Sequence, residues 1–420
     1  MKGLILTAPN SGGGKTTLTL GILRALKMRG IAMRSGKSGP DYIDPRFHEA
    51  ASGMPCVNLD AWAMSPNRIR HLAAGGTPIL IEGAMGLFDG APPDGKGATA
   101  DLARILGLPC VLICDVSKQS QSVAAVVEGF SRHAEDIDIV GVILNKVGSP
   151  RHETMLRRAL EPVGLPVLGA VYRDVKLETP SRHLGLVQAS ERSDLDKFLD
   201  NSANITYSSI NFDKLISLFE QSSKSSTNPI ILPPPTQSIA IASDNAFAFA
   251  YPHLLSAWRK AGAELTFFSP LADQAPAPSD LVILPGGYPE LHAGKLAANR
   301  IFLSGLRKAK SVYGECGGYM TMGEGLIDAQ GTRHEMLGLL PLETSFAKRK
   351  LHLGYRNLKP LGGPWDMPLN GHEFHYATTL KATGTPLFTA TDAEDTELPH
   401  MGLINGPHSG SFAHVIDRAD

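Results

Sequence analysis

Two stretches carry side chains whose types and spacing point to chemistry. Tyr313–Met320 reads YGECGGYM. It sets Cys316 between a strand-like run and small glycines, the setting of a nucleophile on a sharp strand-to-helix turn. Gly314, Gly317 and Gly318 permit that turn, and the N–H of Gly317 can then donate to an oxyanion. PGGY at Pro285–Tyr288 ends another apolar run, so the N–H of Gly287 is a second expected donor. A thiol attacks as a thiolate and needs a base nearby. Among 14 histidines, His414 in GSFAH and His408 in GPHSG compete for that role. HEFH at His372–His375 is not the zinc-protease pattern, because its histidines are three apart rather than four.

The second stretch is SGGGKTT, Ser11–Thr17. The strict phosphate-loop pattern has a glycine where Pro9 stands, so this is a variant. Its physical requirements are met. Gly12, Gly13 and Gly14 let backbone N–H groups approach phosphate oxygens, Lys15 supplies a point charge, and Thr16 offers a hydroxyl to Mg²⁺. Thr17 opens the helix whose N-terminus faces the same anion. ATP and Mg²⁺ are the expected ligands. Magnesium takes hard oxygen donors, one or two of them protein carboxylates. GPDYIDP offers Asp41 and Asp44, and PILIEGAMGLFDG offers Glu82 and Asp89. Asp44, before Pro45, reads equally well as a helix cap.

These side chains need elements to hold them. Lys2–Ala8, Pro78–Glu82, Pro109–Val116, Ile139–Asn145 and Pro166–Val171 are short apolar runs, each a buried-strand pattern. Helical spacing between them, as in Ser120–Arg132, predicts a parallel sheet covered on both faces. After about Ser190 the texture changes: Asp200–Asn228 is rich in Ser and Asn and Pro233–Pro235 is a proline run, which together read as a linker with a short helix around Phe212–Glu220. Alternation resumes at Ser238–Ser243, Leu265–Ser269, Leu281–Pro285 and Ser311–Tyr313. The expected domains are 1–192, with the phosphate loop; 193–236, a linker; and 237–420, with the thiol. The fold class is α/β, twice over.

A length of 420 residues fits two domains. A formal net charge of −1 gives no sign of a nucleic-acid or membrane partner. The N-terminus does not read as a signal peptide, and no apolar run is long enough to span a bilayer, so a cytoplasmic protein is expected. A homodimer is the common outcome for such proteins. Four cysteines exclude a disulfide framework, and Cys110 and Cys114 in PCVLICDV read as inert core thiols.

In order along the chain, SGGGKTT, GPDYIDP, EGAMGLFDG, GVILNKVGSPRH, RHLGLV, LPGGYPELHA, GECGGYM, GHEFHY and GSFAH resemble the cobyrinic or hydrogenobyrinic acid a,c-diamide synthase family of vitamin B12 biosynthesis. The resemblance covers nearly the whole chain except about 200–236. It implies a phosphate-loop synthetase domain akin to dethiobiotin synthetases and a class I glutamine amidotransferase domain, which is flavodoxin-like. It implies that Cys316 is the glutaminase nucleophile and His414 its base. Class I amidotransferases ordinarily place a glutamate two residues after that histidine; here Ile416 stands there, which favours a Cys–His dyad or a third member from elsewhere. Lys15 with Mg²⁺ on Thr16, Glu82 and Asp44 would serve phosphoryl transfer, with Asp41, Tyr42 and Asp89 around the phosphoryl and substrate site. The implied small-molecule partners are ATP, L-glutamine and a corrin-type tetrapyrrole. Arg34, Lys37, Arg46, Arg182, His183, Tyr355, Arg356, His372, His375 and Tyr376 lie in motifs that could contact such a polyanion. Related alternatives are a cobyric acid synthase, a synthase acting on a nickel tetrapyrrole, and a partitioning-type ATPase. Whether the ring carries cobalt is left open.

Overall fold

A computed structural model describes residues 1–177, 181–182, 185–186, 188–221 and 228–419. It divides into two compact units, Met1–Pro229 and Ile230–Asp420.

In the first unit the apolar runs become parallel strands: β1 (Lys2–Thr7), β2 (Arg34–Ser38), β3 (Cys56–Leu59), β4 (Ile79–Glu82), β5 (Cys110–Asp115), β6 (Ile139–Val147) and β7 (Val167–Tyr172). Their order is β3-β2-β4-β1-β5-β6-β7. β1 is central, in parallel register with β4 and β5. Leu4, Ile5 and Leu6 are fully buried there, as a sheet covered on both faces demands. The turns after β1, β2, β4 and β5 leave from carboxyl ends of neighbouring strands, where ligands bind in such sheets. β2 and β3 escaped sequence reading because RSGKS is polar and CVNL is only four residues long.

Helix α1 (Lys15–Met28) starts directly at the glycine loop, and α2 (Asp44–Ser52) follows β2. The stretch read as a linker is mostly packed structure. Helix α3 (Leu195–Ser209) lies against α1 so closely that a Cβ at Gly21 would stand 2.2 Å from Thr206 Oγ1. Arg24 on α1 bonds Asp200 at 2.7 Å and Asp196 at 3.1 Å. The Ser- and Asn-rich composition that suggested a linker instead supplies small side chains for this close helix contact; Ser202 and Thr206 are fully buried.

The second unit holds a mostly parallel sheet. Its strands are β8 (Ser238–Ala242), β9 (Glu264–Phe268), β10 (Leu281–Leu284) and β11 (Val312–Glu315). The six-residue helix α4 (Gly317–Met322) follows β11. Beyond the expected strands lies an antiparallel sheet of β12 (His352–Pro360), β13 (Leu369–His375), β14 (Phe388–Thr391), β15 (Glu397–Met401) and a last strand introduced below. β16 (Leu403–Asn405) and β17 (His408–Ser411) complete the first sheet in the order β9-β8-β10-β11-β17-β16, and β18 (His414–Arg418) ends the second in the order β15-β14-β12-β13-β18. Two residues, Phe412 and Ala413, separate β17 from β18, so the chain changes sheets beside Cys316.

Candidate active sites

The phosphate loop is set by two strained turns and one tight contact. Gly12 and Gly14 have φ of 77° and 88°, left-handed backbone that favours glycine. A Cβ at Gly14 would also lie 2.1 Å from Asn145 Nδ2, which donates to Gly13 O at 2.8 Å. Lys146, from the same NKVG stretch, donates to Gly12 O at 3.1 Å and Asp115 Oδ2 at 2.6 Å. The ends of β5 and β6 thus brace the loop from behind. Thr17 Oγ1 donates to Leu177 O at 3.4 Å.

Three oxygen donors converge in front of it. Thr16 Oγ1 donates to Glu82 Oε1 at 2.6 Å and stands 3.4 Å from Asp44 Oδ2. Lys37 Nζ sits between the two carboxylates, 2.6 Å from Asp44 Oδ2 and 2.7 Å from Glu82 Oε1. On the far side His48 Nε2 meets Glu82 Oε2 at 2.7 Å, and His48 Nδ1 lies 3.6 Å from Cys56 Sγ. Lys15 Nζ is held by the carbonyls of Met85 and Asn10. The donor set is hard oxygen gathered around a cation, the Lys37 ammonium, and hard oxygen is the chemistry a divalent ion requires.

Electrostatics here follow from burial against pairing. Burial raises Glu82, but Lys37 and His48 outweigh it and hold the carboxylate well below its ordinary range. Burial, together with the neighbouring Asp41 and Glu82 carboxylates, pushes Asp44 up to about 6 despite Lys37. Lys37 keeps its proton because the carboxylates overcome its burial. His48 also opposes its burial, raised to about 10 by Cys56 and Glu82. Burial lowers Lys15 to about 8. The cluster near pH 7 therefore balances two carboxylates against two buried cations, with Lys15 additional.

The structure separates the two aspartates of GPDYIDP. Asp41 is the capping group: its Oδ1 accepts from the N–H of Ile43 at 2.7 Å and Asp44 at 3.1 Å. Asp44 is the first residue of α2 and turns its carboxylate to Lys37 and Thr16, so the cap reading of Asp44 gives way. Tyr42 lies between them. Asp89 Oδ2 accepts from Gly86 N at 2.9 Å and ties the loop after β4. A cavity of about 530 Å³ beside the phosphate loop is lined by Pro9, Asn10, Ser11, Asp115, Lys118, Gln119 and Phe130, among others.

In the second unit Cys316 has φ 46° and ψ −104°, a conformation strained for a residue with a Cβ, at the junction of β11 and α4. The turn is tight: a Cβ at Gly318 would come 1.8 Å from Leu284 O. Cys316 N donates to Ser411 O at 2.8 Å, fixing the turn to the end of β17. The expected oxyanion donors are brought together, since a Cβ at Gly317 would lie 3.1 Å from Gly287 N. The next glycine back, Gly286, faces His414: its Cβ would be 2.2 Å from His414 Cε1. His414 is 2% exposed and follows Ser411 by three residues. His408 begins β17, the strand end remote from Ser411, and three residues at ~3.3 Å each put it roughly 10 Å away along the strand. That displacement removes His408 from the competition.

Sequence reasoning missed Glu315. Its Oε2 lies 3.7 Å from His414 Nδ1, while its Oε1 accepts from Val415 N at 3.1 Å and Tyr313 OH at 3.3 Å. The signal was its place immediately before the nucleophile in GECGG. Cys316 itself is raised well above the usual thiol range, by burial first and then by the carboxylates of Glu290, Glu373 and Glu315, with the Gly317 N–H opposing. The resting site thus holds a thiol.

Several residues expected to meet a polyanion have other work. Arg34 donates to the carbonyls of Leu72, Ala73 and Ala74 at 2.8–3.1 Å, closing a helix end. Arg46 pairs with Glu49 at 2.8 Å. Arg356 holds Glu373 at 2.8 Å, and His375 is buried. Tyr355 and His372 pack edge to face at 5.5 Å. The Tyr376 ring lies tilted against Phe374, centroids 6.2 Å apart. The Arg182 side chain and His183 lie outside the described residues. Cys110 and Cys114 are buried in β5, their thiols pushed up to about 12 by burial.

A nucleotide cradle with converging carboxylates and a strained thiol turn beside a histidine define a two-site enzyme that couples a nucleotide to glutamine-type thiol chemistry. Residues 4–187 match the CobQ/CobB/MinD/ParA nucleotide binding domain, and residues 238–420 match the CobB/CobQ-like glutamine amidotransferase domain. Over 99% of its length the chain is 55% identical to a hydrogenobyrinate a,c-diamide synthase of Brucella abortus biovar 1, covering 99% of that protein. It is 52% identical to one from a Sinorhizobium species, over 100% of this chain and 99% of that one. For one from Rhizobium meliloti the identity is 51%, with 100% of both chains covered. The chain belongs to the hydrogenobyrinate a,c-diamide synthase family, as a glutamine-dependent amidotransferase ligase. Among the described residues no helix is long and apolar enough to cross a membrane.

Proposed function

We propose that this protein converts two carboxylates of hydrogenobyrinate, the a and c side chains, to amides, using ATP and glutamine in the cytoplasm. The observation that carries the reading is full-length identity above one half to synthases of that name, with both matching domains in one chain. Those names favour the metal-free ring, a choice the motifs left open.

Thr16, Glu82 and Asp44 are the residues that would hold Mg²⁺, which when bound neutralises phosphate charge. With those carboxylates holding the ion, the Lys37 ammonium would be free to pair with phosphate or with the substrate carboxylate. Lys15 exchanges the carbonyls of Met85 and Asn10 for phosphate oxygens. The glycine loop donates its N–H groups, and the cavity beside it takes the nucleoside. A substrate carboxylate oxygen attacks the γ-phosphorus, ADP leaves, and an acyl phosphate results.

In the second unit glutamine's arrival lets His414 take the Cys316 proton, and the thiolate attacks the side-chain amide carbon. The N–H groups of Gly287 and Gly317 receive the oxyanion. His414 returns the proton to the departing ammonia. Water then releases glutamate from the thioester. Ammonia attacks the acyl phosphate, phosphate leaves, and the amide forms. Glu315 supplies the carboxylate that position 416 lacks, orienting His414 and offsetting its imidazolium.

The experiment is Cys316→Ser assayed with glutamine and with ammonium salt. Amidation should vanish with glutamine and persist with ammonia. Retained glutamine hydrolysis would sink the nucleophile assignment.

A further inference from the structure

The antiparallel sheet of the second unit carries a cluster that neither reaction uses. His375 and Glu373 are two apart on β13 and share one face, and His352 on β12 is the direct cross-strand partner of His375. One donor atom from each of these three residues lies within 4.8 Å of the others. The His352 and His375 rings stack in parallel, centroids 4.6 Å apart at 5°. Phe412 covers the other side of His375 at 3.9 Å.

Several features suit a metal better than a packed polar patch. Glu373 is divided between two tasks. Its Oε2 is clamped by Arg356 through Nε at 2.9 Å and a terminal nitrogen at 2.8 Å, while its Oε1 is turned to His375 Nε2 at 2.9 Å. A ligating carboxylate is commonly held in this way by an outer partner. His375 is 4% exposed, and its Nδ1 is buried without a hydrogen-bond partner. Position 354, opposite Glu373, is glycine, which lets the Arg356 guanidinium fold over it: a Cβ there would stand 2.8 Å from Arg356 Nη1. His352 is only partly buried, which leaves an entry path.

We propose that His352, Glu373 and His375 form a binding site for one divalent transition metal of borderline softness, Zn²⁺ being the probe. Two imidazoles and a carboxylate are a common three-ligand set for Zn²⁺ with an open fourth position. Ligand atoms around a tetrahedral Zn²⁺ at ~2.0–2.1 Å stand about 3.3 Å apart, so rotations of these side chains by an ångström or so close the site. The set differs in chemistry from the Thr16–Asp44–Glu82 oxygens, which suit a hard ion. It also lies near the glutaminase centre, because Glu373 is among the charges acting on Cys316.

The test loads the purified full-length protein with Zn²⁺, dialyses it against a weak chelator, and measures retained metal by elemental analysis. One ion per chain is expected. His352→Ala, at a partly exposed position, should weaken retention at least ~10–100-fold, and Arg356→Lys should weaken it less, because Lys keeps a cation beside Glu373 and loses only the two-nitrogen clamp. Asp44→Asn and Cys316→Ser, which remove donors at the other two sites, should keep the ion. Co²⁺ in its place should give a d–d spectrum without a sulfur charge-transfer band. Wild-type protein that retains no ion, or His352→Ala protein that retains it unchanged, would overturn the proposal. So would a sulfur band with Co²⁺.

Discussion

Replacing Glu315 by Gln is the perturbation that most sharply tests the geometry around the thiol. Gln keeps the size and an acceptor for the Val415 N–H and Tyr313 OH, so the turn before Cys316 should hold. What disappears is a charge 3.7 Å from His414 Nδ1. At that separation two unit charges attract by about 4 kcal/mol with an effective dielectric of ~20. Two other donors already draw on Glu315 Oε1, and the gap exceeds hydrogen-bond length, so roughly half or less should survive as transition-state stabilisation. Glutamine hydrolysis should therefore fall ~10–100-fold, at about 1.4 kcal/mol per decade. The assay is glutamate release at saturating glutamine, run beside ammonia-dependent amidation, which should be unchanged. Glu315→Asp should recover part of the loss. A Gln variant within threefold of the wild type would refute the positioning role and leave a bare Cys–His dyad.

Lys15→Ala should remove nucleotide-dependent amidation and leave glutamine hydrolysis; amidation that persists would overturn the phosphate-loop reading. Lys37→Met leaves the Asp44 and Glu82 carboxylates without their shared cation, and chemical denaturation in chelator should show a loss of ~3–5 kcal/mol, recovered largely when Mg²⁺ is added; a loss indifferent to Mg²⁺ would argue against a divalent site there. Because burial and three carboxylates raise Cys316, thiol is the resting form, and the thiolate fraction grows about tenfold per pH unit. Alkylation of the ligand-free enzyme by iodoacetamide should climb steadily from pH ~7 to ~9, and a plateau below pH 8 would contradict a resting thiol. Gly318→Ala should cost about 3 kcal/mol or more by urea melting, since its Cβ would enter the Leu284 carbonyl; a variant of wild-type stability would disprove the tight turn.

Much of the scaffold could be read in advance because β1, β4, β5, β6 and β7 are continuous apolar runs, the mark of strands buried on both faces. The glycines around Lys15 and Cys316 announced their turns for a similar local reason. What escaped reading depends on partners distant in sequence. β2 places Lys37 between Asp44 and Glu82, yet its own residues carry no strand period. The helix Leu195–Ser209 hides behind Ser and Asn, whose small side chains matter only where Gly21 of α1 comes close. Glu315 could be named as a neighbour of Cys316, but its approach to His414 depends on β13 and β18 of a sheet the sequence pattern did not reveal. Asp41 and Asp44 illustrate the limit in miniature: three residues apart, either could cap or ligate, and only the turn decides.

The nucleotide site and the thiol site meet in one reaction. Hydrogenobyrinate, ATP, Mg²⁺ and glutamine labelled with ¹⁵N at its side-chain amide are incubated with the purified enzyme, and product is followed by mass spectrometry while ADP is counted. The account predicts a diamide carrying label in both new amides, with one ADP formed for each. Product without label, or labelled amide formed without ADP, would contradict it.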